Sequence, residues 1–288
     1  MVGWLLDASI FDAYHDELAS AIIRNGHSVV SINRPNPPYN WDDTADAYRR
    51  AFATGTCVVT HADIDLVLRV LDEELWTPGA FANIASFFCS KYFAHLGKYL
   101  LNSDYVMLPY AELQRCRDFL FDTLGQDDRL FVRPDSPLKI FTGMTISRST
   151  FDRDFEFMGF YEFPLESLVV VSSPKTIVAE WRFVVAGKAV VTGSQYLDGS
   201  EKAARPVSDV NAFNYAQSIV AAGYSPDSVW VLDVCKTEDG EYHLLEIGGF
   251  SFAGLYGCDK DAVVKAVSAV AQQIHTTKSH NQRLQRSP

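Results

Sequence analysis

Asp239-Gly240 is a hairpin signal set between two apolar runs, Val231-Leu232-Asp233-Val234-Cys235 and Tyr242-His243-Leu244-Leu245-Glu246-Ile247. Few local signals constrain a chain as strongly, because a hairpin also determines which residues face one another. A two-residue loop pairs Glu238 with Glu241. Continued inward, the same register sets Asp233 directly opposite Glu246 on one face, with Cβ atoms about 5 Å apart. Two unit charges at that separation repel by about 3 kcal/mol at an effective dielectric near 20. An apolar strand pair does not keep such a pair uncompensated. A divalent cation with oxygen ligands, Mg²⁺ above all, offsets the repulsion and commonly bridges to substrate phosphates. Two solvated hairpin carboxylates are the plain alternative. A three-residue loop would put the two carboxylates on opposite faces and remove the argument.

With 288 residues, 48% hydrophobic and 13% aromatic, the chain can bury a large core as one large domain or two ordinary ones. Its net charge of −11 argues against nucleic acid as the main partner, so any phosphate contact must come from a few local cations. The cysteines Cys57, Cys89, Cys116, Cys235 and Cys258 are odd in number and lack CxxC spacing, which suits reduced thiols better than disulfides or zinc. The short apolar start, Met1 to Leu6, runs at once into Asp7 and does not read as a signal peptide. No apolar run approaches the length of a membrane span. A soluble, cytoplasmic protein with no membrane partner is expected, and a homodimer is left open.

The first 33 residues read strand, helix, strand, with Trp4–Leu6 and Val29–Ile32 as strands and a helix from Phe11 to Asn25 before Gly26. Asn33 to Pro38 reads as a loop, because its prolines cannot donate to a ladder. Cys57–Thr60 reads as a third strand, and helices are expected over Ala80–Tyr99 and Ala111–Leu124. From Leu130 onward strands and hairpins take over. Leu168–Val171 reads as a buried strand, and Ile177–Val185 with Ala189–Thr192 as a hairpin about Gly187. Helices are expected over Ala212–Ala222 and Lys260–His275, with a frayed tail beyond. The organisation expected is an N-terminal α/β domain with a helical extension over 1–105, a second α+β domain over 106–278, and a flexible tail over 279–288.

Three cations sit where anion binding is plausible. Arg133 ends a strand, and Lys139 follows a turn-rich stretch and opens onto Ile140-Phe141-Thr142-Gly143. Arg182 lies inside an apolar strand, where it must be paired, and phosphate oxygens make good bidentate partners. The plain readings are an Arg182 ion pair with Glu180, which shares its face, and Arg133 as a strand-end residue. Lys202 and Arg205 read as part of a solvated loop from Asp198 to Pro206, and His243 alternates away from the carboxylate face. The histidines lack zinc spacing, Ser194 lacks a GxSxG context, and no GxxxxGK loop is present.

These segments, in this order, resemble the ATP-grasp superfamily, most closely its clade named for two arginines and a lysine. The resemblance is carried by Phe131-Val132-Arg133-Pro134-Asp135-Ser136 with Lys139 and Phe141-Thr142-Gly143, Glu180-Trp181-Arg182-Phe183, and Gly193-Ser194-Gln195-Tyr196. It closes on Leu232-Asp233-Val234, Leu245-Glu246-Ile247 and Phe250 to Tyr256. The resemblance implies an α+β ATP-grasp fold, two α+β subdomains gripping ATP, preceded by a small α/β N-terminal domain. It implies ATP and Mg²⁺, with Asp233 and Glu246 on the metal, Arg133, Lys139 and Arg182 on the phosphates, and Lys139 and Arg182 catalytic. Val171, Ser172 and Ser173 would meet adenine at a hinge, with Glu180 also lining the nucleotide site. Many members carry asparagine two positions after the metal glutamate, where Gly248 stands here. The implied activity is ATP-dependent ligation of a small-molecule or peptide carboxylate to an amine through an acylphosphate. The alternatives are a phosphotransferase without ligation and a catalytically weakened nucleotide-binding interaction protein.

Overall fold

A parallel strand buried on both faces reads as a near-continuous apolar run, and Trp4 to Leu6 at the opening of the chain is such a run. In the computed structural model, which describes residues 1–33, 47–138, 140–160 and 163–286, β1 (Gly3–Asp7) is buried along its whole length. It lies between β2 (Ser28–Ile32) and β3 (Val58–His61) in a parallel sheet of order β2-β1-β3. Helix α1 (His15–Arg24) lays Leu18, Ala21 and Ile22 on this sheet and ends before Gly26, whose φ of 75° suits glycine. Helix α2 (Ile64–Glu73) starts at Asp63, whose carboxylate accepts the Leu66 amide at 2.9 Å.

The expected helix over Ala80–Tyr99 is reduced to α3 (Cys89–Leu96), flanked by short 3₁₀ turns at Ile84–Ser86 and Gly97–Tyr99. The reason is tertiary. Phe81 N–H donates to Ser251 Oγ at 2.8 Å and Phe81 O accepts from Ser251 N at 3.1 Å, so neither group serves a helix. The helix expected over Ala111–Leu124 is two pieces, α4 (Glu112–Arg115) and α5 (Arg117–Leu124), parted at Cys116, whose backbone (φ −91°, ψ 3°) leaves the helical range.

Two antiparallel sheets follow. β4 (Tyr105–Pro109), β5 (Arg129–Pro134), β6 (Met144–Ser147) and β7 (Leu168–Ser172) form one of order β4-β7-β5-β6, backed by α5 and α6 (Phe151–Gly159) over a core that includes Leu120, Phe151 and Met158. The other, of order β10-β9-β8-β11-β12, comprises β8 (Ile177–Ala186), β9 (Ala189–Asp198), β10 (Glu201–Pro206), β11 (Val229–Thr237) and β12 (Tyr242–Gly249). Lys202 and Arg205, expected in a loop, stand on edge strand β10, and Arg205 pairs with Asp198 at 2.5 Å.

One face of this second sheet packs on α7 (Val210–Ala221) through Trp181, Phe183, Leu232 and Leu244. The other face meets α8 (Lys260–Arg286): Val184 and Val231 share one core with Val263, Val264 and Val267 and with Trp4 and Leu6 of the N-terminal sheet. The segment expected to be a flexible tail, 279–288, is helical as far as Arg286. No glycine or proline interrupts the helical hydrogen bonds before Pro288. Among the described residues no helix is long and apolar enough to cross a membrane.

The C-terminal hairpin reaches the expected pairing by another route. Thr237 N bonds Glu241 O and Gly240 N bonds Thr237 O, so the loop has three residues, with Gly240 at φ 87°. That loop alone would put the carboxylates on opposite faces. A β-bulge at Leu245 reverses the slip, and Asp233 still lies opposite Glu246. The longer loop also changes one expectation: His243 pairs with Cys235, on the face of Asp233, rather than alternating away from it.

Candidate active site

The charged residues picked from the sequence meet where the two antiparallel sheets come into contact. Arg133, at the end of β5, reaches across to β12, with Nη2 donating to Glu246 Oε2 at 3.0 Å and Nη1 to the Leu245 carbonyl at 3.3 Å. Leu245 is the bulged residue, so the bulge both restores the carboxylate register and presents a carbonyl to Arg133. Arg182 on β8 sits beside Asp233 in the ladder and grips it in a two-pronged bond, Nε to Oδ1 at 2.8 Å and Nη2 to Oδ2 at 2.7 Å. Its Nη2 is also 4.0 Å from Glu246 Oε1, and its Nη1 donates to the Gly254 carbonyl at 3.3 Å. The partner of Arg182 is therefore Asp233, not Glu180. Arg133, Glu246, Arg182 and Asp233 form one chain of alternating charge.

The cations that offset the carboxylate repulsion are thus two of the protein's own guanidiniums. Burial pushes the Asp233 carboxyl up from the ordinary range, and the bidentate Arg182 opposes that rise. Burial likewise pushes Glu180 up, against a hydrogen bond from Tyr196, while Asp233 and Glu246 add to the rise. The Tyr196 hydroxyl also lies 3.3 Å from Asp233 Oδ2. Its ring stacks on Tyr256 at 5.1 Å, and the Arg182 guanidinium sits 5.7 Å and 5.4 Å from the two ring centres.

The donor set fits Mg²⁺. A carboxylate offers about four lone-pair positions; Asp233 spends three on Arg182 and Tyr196, and the Glu246 side chain is 32% exposed. Among the described residues no group of three or more His, Cys, Asp or Glu could hold a metal. An all-protein cage is absent there, but Mg²⁺ ordinarily takes one or two carboxylates plus phosphates and water. A Cβ built on Gly248 would meet only Val231 Cγ2, at 3.5 Å, so space alone does not demand glycine at that position.

At the proposed hinge, Val171 and Ser172 lie inside the ladder, with β7 flanked by β4 and β5. Ser172 Oγ is buried without a hydrogen-bond partner among the described residues, while Ser173 Oγ donates to Asp104 and receives Lys175 Nζ. Lys139 lies outside the described residues.

Several contacts of the site had no assigned role in the sequence reading. Tyr196, Gly254 and Tyr256 stood inside the matched segments, and their signal was proximity in sequence to Arg182's neighbours. Asp135 likewise stood inside a matched segment, two residues after Arg133, with no role assigned. Its carboxylate accepts Ser90 N at 2.6 Å and Ser90 Oγ at 2.9 Å, capping α3 from a distant part of the chain and anchoring the segment that follows Arg133.

A family model described as an ATP-grasp domain, family 2 of the clade named for two arginines and a lysine, matches residues 114–266, more than half of the chain. The chain belongs to that ATP-grasp family. The expected fold class, an ATP-grasp domain preceded by a small α/β domain, is borne out. No curated protein matches it by sequence. Among solved structures it resembles the D-cycloserine synthetase DcsG, with TM-score 0.62 and 14% identity over 95% of this chain and 100% of that one. It also resembles the D-alanine-D-alanine ligase from Coxiella burnetii, with TM-score 0.63 and 14% identity over 99% of each chain. A third is the ATP-grasp ligase PsnB complexed with minimal precursor, Mg and ADP, with TM-score 0.52 and 14% identity over 93% of this chain and 98% of that one.

A separate buried group ties the ATP-grasp domain to the parallel sheet. His61, at the end of β3, stacks on Phe11 at 4.4 Å and hydrogen-bonds Tyr14 through Nε2 at 3.1 Å. Burial pushes its imidazole down from 6.5 to about 3. A depressed folded-state value means that the unfolded chain takes the proton first, so stability is full above about 6.5 and is lost as pH falls toward 3. Between pH 7 and 5 this single group is expected to remove about 2 kcal/mol. Urea unfolding of the wild type and His61→Gln at both pH values checks it: the variant should lose markedly less over that interval.

Proposed function

We propose that this chain is an ATP-dependent ligase that joins a carboxylate to an amine through an acylphosphate. The observation that carries the reading is the convergence of Arg133 and Arg182, from two different sheets, on Asp233 and Glu246 in a chain of the ATP-grasp family. Solved structures of similar fold are named as ligases, and one of them was obtained with Mg and ADP.

In this reading the site binds ATP with its terminal phosphates toward Arg133 and Arg182. Mg²⁺ on Asp233 and Glu246 would supply charge neutralisation to the phosphate oxygens. Arg182 is held by Asp233 and Gly254, so its guanidinium is oriented before the nucleotide arrives. An oxygen of the acceptor carboxylate attacks the γ-phosphorus, and the bond to ADP breaks as ADP leaves. The amine then attacks the acyl carbon, phosphate departs, and the nitrogen loses a proton. No protein nucleophile is needed; positioning and charge carry the transfer. Lys139 would join the phosphate-binding set, and the acceptor would be a small-molecule or peptide acid. A second reading, a nucleotide-binding protein with weakened catalysis, is favoured by Gly248 alone.

The test is ATP cleavage assayed against pooled carboxylates and amines, with hydroxylamine added. The correct acid should stimulate release of ADP and phosphate, and hydroxylamine should trap the activated acid as a hydroxamate. AMP as the product would sink the acylphosphate route. A stable phosphorylated alcohol without hydroxamate would identify a phosphotransferase, and tight ATP binding without turnover would favour the second reading.

A further inference from the structure

Arg182 is oriented by more than Asp233. The turn from Gly254 to Cys258 gives it a carbonyl from Gly254 and an aromatic face from Tyr256. That turn is a strained one: Tyr256 holds φ at 45°, a left-handed conformation that side chains other than glycine rarely adopt. Such a residue persists only where its surroundings impose it.

Three side chains from three places impose it here. Ser194 Oγ on β9 accepts the Gly257 amide at 3.0 Å. Lys260 Nζ, at the start of α8, donates to the Tyr256 and Cys258 carbonyls at 2.7 and 2.8 Å. Tyr14, from the N-terminal domain, accepts the Leu255 amide on its hydroxyl at 3.1 Å. The same hydroxyl hydrogen-bonds His61 Nε2 at 3.1 Å, so one oxygen is shared between the imidazole and the Leu255 amide. Tyr14 is 8% exposed, its ring stacks on Phe11 at 5.5 Å, and Lys260 Nζ lies 5.0 Å from it. Each side of the hydroxyl is therefore committed.

We propose that Tyr14 is a positioning residue for the phosphate site: by holding the Leu255 amide it seats the Gly254 carbonyl and the Tyr256 ring against Arg182. Residue 14 lies outside the matched span 114–266, so the N-terminal domain completes the nucleotide site rather than only flanking it. The proposal rests on the ligase reading in one respect, that Arg182 meets the phosphates of ATP.

The experiment uses the full chain and the variant Tyr14→Phe, which keeps the ring and removes one oxygen. Amide hydrogen exchange at Leu255, measured without nucleotide, should accelerate. Calorimetry should show ATP weakened about 5- to 10-fold, the size of one net hydrogen bond, with adenosine affinity unchanged. In an Arg182→Lys background, where the ammonium cannot reproduce the forked contacts, Tyr14→Phe should change ATP affinity no further. Equal weakening of ATP and adenosine, or an undiminished effect beside Arg182→Lys, would overturn the proposal. Should Tyr14→Phe fail to fold, Ser194→Ala removes another tie to the same turn and must show the same Arg182-dependent loss. A wild type that binds no ATP would refute the ligase reading instead. The exchange arm then decides Tyr14 by itself, and unchanged protection of Leu255 would end the proposal.

Discussion

Asp233→Asn is expected to cost about 3 kcal/mol of folding stability, the size typical of breaking a buried ion pair from one side. The carboxylate is 2% exposed and carries both prongs of the Arg182 fork, and Arg182 itself is 12% exposed. An amide can accept one of those bonds but offers the second prong an N–H, leaving a buried guanidinium facing a donor. Urea denaturation measures the loss. The double variant Asp233→Asn with Arg182→Met should recover part of it, because removing both charges abolishes the unpaired one. A loss below about 1 kcal/mol for the single variant would mean that the pair is solvated. ATP turnover should vanish with the pair, yet the stability loss makes this variant a poor reporter of the metal role.

Glu246→Gln separates the two roles. Its carboxylate is 32% exposed and accepts from Arg133 at 3.0 Å, a contact the amide oxygen can keep, so folding should change little. On the proposed ligase reading, Mg²⁺-dependent ADP formation is nonetheless expected to fall by at least about 100-fold, because the divalent ion would lose one of two proposed carboxylates. Steady-state ADP release across a Mg²⁺ titration checks this, beside a thermal melt. Wild-type turnover at ordinary Mg²⁺ would remove Glu246 from the metal set. A collapsed melt would instead make Glu246 a structural partner of Arg133.

Those two residues also show where local reasoning reached the right pair for an incomplete reason. Glu238-Asp239-Gly240 supports a two-residue loop or a three-residue one with Gly240 in the left-handed region, and the choice shifts every partner by one. The chain takes the longer loop and cancels the slip with the bulge at Leu245. Nothing in the alternation of Leu244, Leu245 and Glu246 marks that bulge, because it answers to Arg133, more than a hundred residues away. His243 shares the face of Asp233 because the longer loop pairs it with Cys235. The Ala80–Tyr99 stretch shows the converse: a helix-compatible segment gave up its first part because Phe81 pairs with Ser251.

Taken alone, the sequence determined what short-range chemistry determines. Apolar runs such as Trp4–Leu6 and Leu168–Val171 had to be buried strands. The hairpin had to form near Gly240, and an arginine inside the strand around Phe183 could not stay unpaired. The order of these segments was sufficient for the family. Only the tertiary structure decided which charge meets which: Arg182 with Asp233 rather than Glu180, Arg133 with Glu246 on the other sheet, and Tyr14 with the turn that seats Arg182. The physical reason is that propensity and periodicity act over a few residues. A charge partner or a hydroxyl tie is instead selected by the packing of sheets whose strands lie far apart in the chain, where one bulge or one side chain's reach changes the answer.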